Sequence, residues 1–86
     1  MKRIIETTED SGLESMLGES VLLICGSYFY AGELVGVNSD HVELRSAQIV
    51  YETGAWTSAG WKDAQPLPGD VWRVQTASIE SWGVGK

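Results

Sequence analysis

The pattern of apolar and polar positions changes from helical spacing to strand spacing near residue 20. Three apolar residues are spaced i, i+3 and i+4 before that point: Leu13, Met16 and Leu17. Such spacing places one apolar stripe along a helix. Asp10 or Ser11 can cap the first free amides of this helix, and Gly18 supplies a stop signal. The pattern therefore predicts a short α-helix over residues 10 to 18.

After residue 20 the apolar residues form continuous runs or alternate with polar residues, and both patterns are typical of β-strands. The run VLLIC predicts a strand that is covered on both faces. Val42 and Leu44 alternate with polar neighbours, as in a strand with one buried face. Strands are predicted over residues 21–26, 28–37, 41–51, 71–76 and 78–82.

Glycines and prolines mark the places where this strand pattern bends or stops. Gly32 and Gly36 interrupt the second strand, and glycines inside a strand favour sharp bends. Residues 52 to 70 contain both prolines, two tryptophans and several small polar residues, which predicts a long loop. A loop of this length is uncommon in a small domain and is a candidate functional or interaction element.

A short helix followed by about five bent strands predicts a mainly β single domain over residues 1 to 86. Chains of this kind form small, partly open barrels of the SH3, OB or Sm type. Such a barrel leaves strand edges unpaired, and an unpaired edge is a template for another chain. A domain this small also gains stability by oligomerising. The sequence alone therefore predicts an assembly.

Several short stretches resemble the motifs of Sm and Sm-like (LSm) proteins. They are residues 18 to 21 (GESV), Gly32-Glu33-Leu34, Asn38, Val42 and Leu44. The similarity is tighter with small phage-encoded Sm-like proteins, including those attributed to cyanophages. It is carried by residues 32 to 35 (GELV), residues 42 to 44 (VEL), Ala47, Tyr51, Gly54 and Ala55.

The resemblance implies a strongly bent, five-stranded open barrel with a short N-terminal α-helix, encoded by a phage. It also implies that the fourth and fifth strands pair with neighbouring copies and close a homo-oligomeric ring. Such a head-to-tail contact closes into roughly five to seven copies, a pentamer to a heptamer. Four large apolar residues of the last two strands are the expected subunit interface: Trp72, Val74, Ile79 and Trp82.

The RNA-binding motifs of the Sm family are not matched. Sm proteins that bind uridine-rich RNA use an Asp-x-x-Met-Asn stretch, whereas the turn here reads NSDHVE from Asn38. The Arg-Gly pair of the second Sm motif falls near Gln75 and Thr76, and neither residue matches. The resemblance therefore implies the architecture and the ring, but it does not assign RNA-contacting residues.

Composition and charge narrow the possible locations and ligands. The 86 residues include 12 acidic and 6 basic side chains, and the net charge of −6 disfavours nonspecific binding to phosphate backbones or anionic lipid. The N-terminal stretch becomes acidic too early for a secretory signal. We expect a protein of the cytoplasm, that of the host cell if a phage encodes it, with no membrane partner.

The sequence offers little for catalysis or cofactor binding. Cys25 is the only cysteine and lies in an apolar run, so we expect a small buried hydrophobe and no thiolate metal site. His41 adjoins Asp40, but adjacent residues of a strand point apart and cannot form a nucleophile and base pair. We expect no enzyme activity, no cofactor and no metal.

Single-stranded RNA or DNA is the leading expected ligand, in a nucleic-acid processing role, because aromatic side chains stack on bases and cations contact phosphates. The candidate residues are Arg45, Tyr51, Trp56, Trp61, Lys62 and Arg73. Each also has an ordinary structural interpretation: the tryptophans can pin the long loop to the barrel, and the arginines can form ion pairs. The alternative function is a structural or protein-interaction ring that binds no nucleic acid.

Overall fold

The computed structural model describes residues 12–86, which form one antiparallel sheet of six strands with two short 3-10 helices. The strands are β1 (Ser20–Cys25), β2 (Phe29–Val37), β3 (His41–Glu52), β4 (Asp63–Pro66), β5 (Val71–Gln75) and β6 (Ile79–Val84). The 3-10 helices span Leu13–Met16 and Thr76–Ser78. The expectation of a mainly β chain is therefore confirmed.

The long strand β3 organises the sheet because it changes partner along its length. One edge pairs with β2 throughout, and the sheet continues from β2 to β1 and then β6. On its other edge the first half of β3 pairs with β5, where Arg45 faces Val71, and the second half pairs with β4, where Gln48 faces Pro66. The sheet consequently folds over at the middle of β3.

The fold-over point is a bulge in which Ser46 and Ala47 of β3 lie opposite Gly32 of β2. The register of the two strands shifts between Ala31 and Glu33, and Ser46 takes a left-handed conformation with φ 54°. A Cβ at position 32 would lie 3.0 Å from the Arg45 carbonyl oxygen and 3.2 Å from the Ala47 Cα. The bend therefore depends on glycine because β3 crosses β2 too closely for a side chain there.

Two apolar clusters lie on opposite faces of the sheet, as the alternation along β1 requires. The main core contains Leu13, Val21, Leu23, Cys25, Leu34, Val42, Leu44, Ala47 and Val74. The smaller cluster contains Leu22, Ala31 and Val50, and Trp61 packs against it from the loop between β3 and β4. The expectation that VLLIC is covered on both faces agrees with this arrangement.

The predicted α-helix over residues 10 to 18 is not found over its described part. Only one 3-10 turn forms, and Leu17 already has the extended torsion angles φ −56° and ψ 130°. Gly12 precedes the turn and provides no side-chain cap for its first amides. Leu13 is buried, whereas Leu17 is exposed. Positions 10 and 11 of the prediction lie outside the described residues.

The predicted loop over residues 52 to 70 contains a sixth strand. Asp63–Pro66 pairs with β3, with Ala64 opposite Val50. Apolar alternation is weak in this short strand, because Ala64 is its only inward-facing apolar side chain. The five predicted strands each coincide with an observed strand to within two residues at either end. No helix in the described part of the chain is long and apolar enough to cross a membrane.

Candidate functional site

The sheet is not closed, because strands β5 and β6 do not pair with each other within residues 12–86. The 3-10 turn Thr76–Ser78 connects them, and a cleft of about 490 Å³ lies between them. We call this cleft the seam. It is lined by β5, β6, the connecting turn and the turn between β1 and β2. The seam combines a volume of this size with buried apolar and exposed polar side chains, which makes it the first candidate site.

The floor of the seam is apolar and chemically inert. Cys25 and Val74 are buried there, and Tyr30 is half-buried beside them. Burial raises the pKa of the Cys25 thiol, and the Glu80 carboxylate adds to the increase. Burial likewise raises the pKa of the Tyr30 hydroxyl. Both groups are therefore protonated at neutral pH, and the thiol is not activated as a nucleophile.

The rim of the seam carries an exposed aromatic residue and opposite charges on its two strands. Tyr28 lines the rim and meets Tyr51 edge to face, with the ring centroids 6.2 Å apart. Arg73 lies on the β5 side and Glu80 on the β6 side. The Arg73 Nε is 3.3 Å from Glu43 Oε2 of its own chain. The seam thus has one cationic and one anionic edge.

Each strand that borders the seam also has an edge that pairs with no described strand. β5 pairs only with β3, and β6 pairs only with β1. Unpaired strand edges expose a row of backbone donors and acceptors that another strand can satisfy. The edges of β5 and β6 are therefore sites where a second polypeptide can add to the sheet.

The four residues predicted for a subunit interface all lie on β5 or β6. Trp72 and Val74 line the seam, and Ile79 packs against the main core. Trp82 of β6 lies opposite Leu23 of the paired strand β1, and the tryptophan remains 44% exposed. Val84, which the sequence interpretation omitted, is 76% exposed on the same strand. Strand β6 therefore presents two large apolar side chains to solvent.

A polar network covers the turn between β2 and β3, next to the end of β5. The His41 Nδ1 lies 2.7 Å from Asp40 Oδ1, so the expectation that these adjacent side chains point apart is wrong, because Asp40 lies in the turn before β3 and not in the strand. Asn38 Nδ2 lies 3.2 Å from His41 Nε2. The hydrogen bond from His41 lowers the pKa of the Asp40 carboxyl. The Thr76 amide donates to the Asp40 carbonyl and ties this turn to the seam. No serine, threonine or cysteine completes a nucleophile, base and acid arrangement with His41 in these contacts.

The residues predicted to bind nucleic acid are not gathered in one place. Trp56 and Trp61 lie together on the loop between β3 and β4, with ring centroids 6.3 Å apart. Tyr51 is on β3 beside Tyr28. Arg45 is in the other half of β3, where that strand pairs with β5.

Most of the described basic side chains are already engaged. The Lys62 ammonium lies 3.9 Å from Glu52 Oε1, and Arg73 pairs with Glu43. The Lys86 ammonium is held by three backbone carbonyls. Arg45 forms no ion pair with any carboxylate of residues 12–86.

Sequence interpretation missed Tyr28, Glu80 and Lys86. Tyr28 follows the Gly26-Ser27 turn at the start of the predicted strand 28–37, and it is half-exposed. Glu80 and Lys86 carry no local motif, because their partners lie far away in the sequence. No group of three or more histidine, cysteine, aspartate or glutamate side chains in the described residues is arranged to hold a metal ion.

Comparison with family models, curated proteins and solved structures gave no match. Function is therefore inferred from the geometry of the seam and the strand edges around it.

Proposed function

We propose that this chain is a non-enzymatic, Sm-like subunit that assembles into a homo-oligomeric ring through the free edges of β5 and β6. The single observation that supports this most strongly is that β5 and β6, on either side of the seam, each keep an unpaired edge. A contact in which β5 of one copy meets β6 of the next uses two different surfaces of each subunit. Such heterologous contacts generate rings when the rotation between subunits closes.

The side chains on these edges support the same pairing. Trp82 and Val84 on β6 are the kind of exposed apolar side chains that interfaces bury. The β6 edge carries Glu80, which forms no ion pair within residues 12–86, and a head-to-tail contact brings it towards Arg73 on β5, which is paired with Glu43 in its own chain. Desolvation of the apolar groups supplies most of the binding energy, and the charges favour one orientation over the reverse.

Paired tryptophan substitutions test this assembly. In the Trp82→Glu variant a charge replaces an apolar side chain on the free edge of β6, and we expect the ring to dissociate into smaller species. Trp56→Glu is the matched control, because Trp56 is 63% exposed and lies on the loop between β3 and β4, outside the seam. Light scattering at equal protein concentration measures the mass of both variants, and circular dichroism checks that both are folded.

Two results would reject the edge contact. The first is a folded Trp82→Glu variant with the mass of the unmodified protein. The second is an equal loss of mass in the Trp56→Glu control, because that would place the contact elsewhere.

A second proposed function is that the ring binds single-stranded RNA or DNA. The observation that favours it is the half-exposed Tyr28 and Tyr51 pair, since exposed aromatic rings stack on bases of any sequence. Arg45 forms no ion pair within residues 12–86, so its guanidinium group is available to contact phosphate. Repetition around a ring multiplies one weak contact per subunit into an avid site. The net charge of −6 per subunit requires that these contacts be local.

Fluorescence anisotropy with a labelled single strand tests this second function across a range of salt concentrations. Removal of one phosphate contact lowers the slope of log K against log salt by about 0.7 for single strands. Arg45→Ala is therefore expected to flatten the slope, whereas Arg73→Ala changes it less because Arg73 is paired with Glu43. Absence of binding at low salt by material verified as a ring would leave the protein-interaction ring as the function.

A further inference from the structure

The loop between β3 and β4 is folded around the side-chain ammonium of Lys86. The Lys86 Nζ donates hydrogen bonds to the carbonyl oxygens of Thr53 at 2.7 Å, Ala55 at 2.7 Å and Gly60 at 3.0 Å. An ammonium group has three N–H donors, and the three carbonyls match that number. No carboxylate of the described residues pairs with Lys86, so the cation is held by neutral groups.

Two tryptophan rings complete the site. The Lys86 Nζ lies 4.7 Å from the ring centroid of Trp61 and 5.7 Å from that of Trp56. The rings meet at an interplanar angle of 88° and form two walls around the cation. Tryptophan offers the strongest cation–π attraction of the aromatic side chains. We call the three carbonyls and the two rings the ammonium cage.

Backbone contacts position both halves of this arrangement. The Gly85 amide donates to the Ser20 carbonyl at 2.8 Å, and a Cβ at position 85 would lie 3.1 Å from the Val21 backbone. This close approach directs Lys86 towards the loop. The loop is closed by its own hydrogen bonds, from Lys62 N to Thr53 O and from Ser58 N to Ala55 O. Two of the three cage carbonyls, those of Thr53 and Ala55, are thus oriented by contacts that do not involve Lys86.

We propose that the ammonium cage is a recognition site for a primary alkylammonium group, such as the end of a lysine side chain, and that Lys86 occupies it in cis. A lysine presented by another polypeptide competes with Lys86 for the same carbonyls and rings. Trp56 remains 63% exposed, so one wall of the cage is open to an incoming group. This proposal does not depend on the ring or on nucleic-acid binding.

The cage selects the ammonium by its N–H groups. The three carbonyl oxygens lie 2.7 to 3.0 Å from the Lys86 Nζ, which leaves no room for methyl groups on the nitrogen. A trimethylated ammonium also has no hydrogen to donate, so it would leave all three carbonyls without this partner. A site made of aromatic rings alone would instead accept the quaternary cation.

Removal of the Lys86 ammonium should open the cage to a free ligand. In Lys86→Met the aliphatic stem remains but the cation is lost, and n-butylammonium is then expected to bind saturably and change tryptophan fluorescence. If Lys86 fills the cage about 90% of the time, the apparent Kd for n-butylammonium is about tenfold lower in the variant than in the unmodified protein. Butyltrimethylammonium is expected to cause no saturable change.

Lys62→Met is the matched control, because Lys62 lies at the end of the same loop and pairs with Glu52 instead of the cage. This variant has the same charge change and is expected to bind n-butylammonium as weakly as the unmodified protein. Equal affinity in all three proteins, or equal binding of butyltrimethylammonium, would overturn the proposal. Nα-acetyl-lysine methylamide and 1,4-diaminobutane are then compared as competitors of n-butylammonium. The tighter competitor shows whether the cage prefers a lysine side chain of a peptide or a free diamine.

A second measurement covers the case in which Lys86→Met does not fold. Ammonium-selected nitrogen NMR of the unmodified protein detects side-chain N–H groups that exchange slowly with water. Lys86 is expected to give such a signal at a temperature where the exposed Lys62 gives none. Equally fast exchange of both ammonium groups would show that the cage does not hold Lys86 in solution.

Discussion

A single methyl group at position 32 tests how the sheet is bent. In Gly32→Ala the new Cβ would lie 3.0 Å from the Arg45 carbonyl oxygen, 3.2 Å from the Ala47 Cα and 3.2 Å from the Leu44 Cβ. All three atoms belong to β3, and two of them are backbone atoms, so the strand cannot yield by rotating one flexible side chain. The two strands must therefore separate at the point where the sheet folds over.

The expected cost follows from two opposing terms. Overpacking of a tight site costs about 1–3 kcal/mol. Replacing glycine by alanine in a compatible conformation restores about 0.4–1 kcal/mol, because the unfolded chain loses freedom. With the middle of each range, about 2 less about 0.7, the free energy of unfolding should fall by roughly 1.3 kcal/mol. With a urea m-value of about 1 kcal/mol per M for a small protein, the denaturation midpoint falls by about 1.3 M.

Gly83→Ala is the matched control for this prediction. Gly83 also lies inside a strand, β6, but a Cβ there would meet no atom within 4 Å. Urea unfolding followed by tryptophan fluorescence, at one protein concentration for all variants, measures both changes. The reasoning is refuted if Gly32→Ala is as stable as the unmodified protein, or if Gly83→Ala loses as much stability.

Three further predictions follow from the core and the titrating groups. Leu34→Ala removes a fully buried side chain and should lower the free energy of unfolding by about 2–5 kcal/mol in the same urea assay. A smaller decrease would indicate a core that relaxes to fill the cavity. Iodoacetamide at pH 8 should modify Cys25 much more slowly in the folded protein than in urea, since burial and Glu80 raise the thiol pKa; equal rates would contradict this. His41 lowers the pKa of the Asp40 carboxyl, so the charged carboxylate stabilises the fold at pH values above its unfolded pKa of about 3.9. This contribution to stability is lost as the pH falls through the lower pKa of the folded state. Asp40→Asn should thus weaken the protein slightly at pH 7 and not at pH 2, and an equal effect at both pH values would exclude this origin.

The strands were predictable from sequence because their apolar residues form runs or alternate, and this pattern depends on neighbouring positions only. The bend at Gly32 was predictable too, since a glycine among aromatic and β-branched strand residues favours a bend or a close backbone approach. The short strand β4 was not predicted because its pairing is with distant β3 and its own residues are mostly polar. The α-helix predicted over residues 10 to 18 was not confirmed over residues 12–18, because the stretch between Gly12 and Gly18 forms a single 3-10 turn.

The candidate site was less predictable than the fold. Trp72, Val74, Ile79 and Trp82 were assigned to an interface from their size and position, and they do lie on β5 and β6, each of which has a free edge. The availability of the basic side chains was harder to predict, because an ion pair such as that of Arg73 with Glu43 depends on the register between two strands. The three cage carbonyls lie 26 to 33 positions before Lys86, so no local motif marks the site.

The mass of the unmodified protein in solution is the most direct test of the central claim that the free edges of β5 and β6 join copies of this chain. One chain has a mass of 9.4 kDa, and native mass spectrometry or sedimentation equilibrium measures the mass of the assembled particle. We predict one species of roughly five to seven chains, the ring size that the resemblance to Sm-like proteins implies, closed by a heterologous contact. A folded species of 9.4 kDa at micromolar concentration would contradict the account.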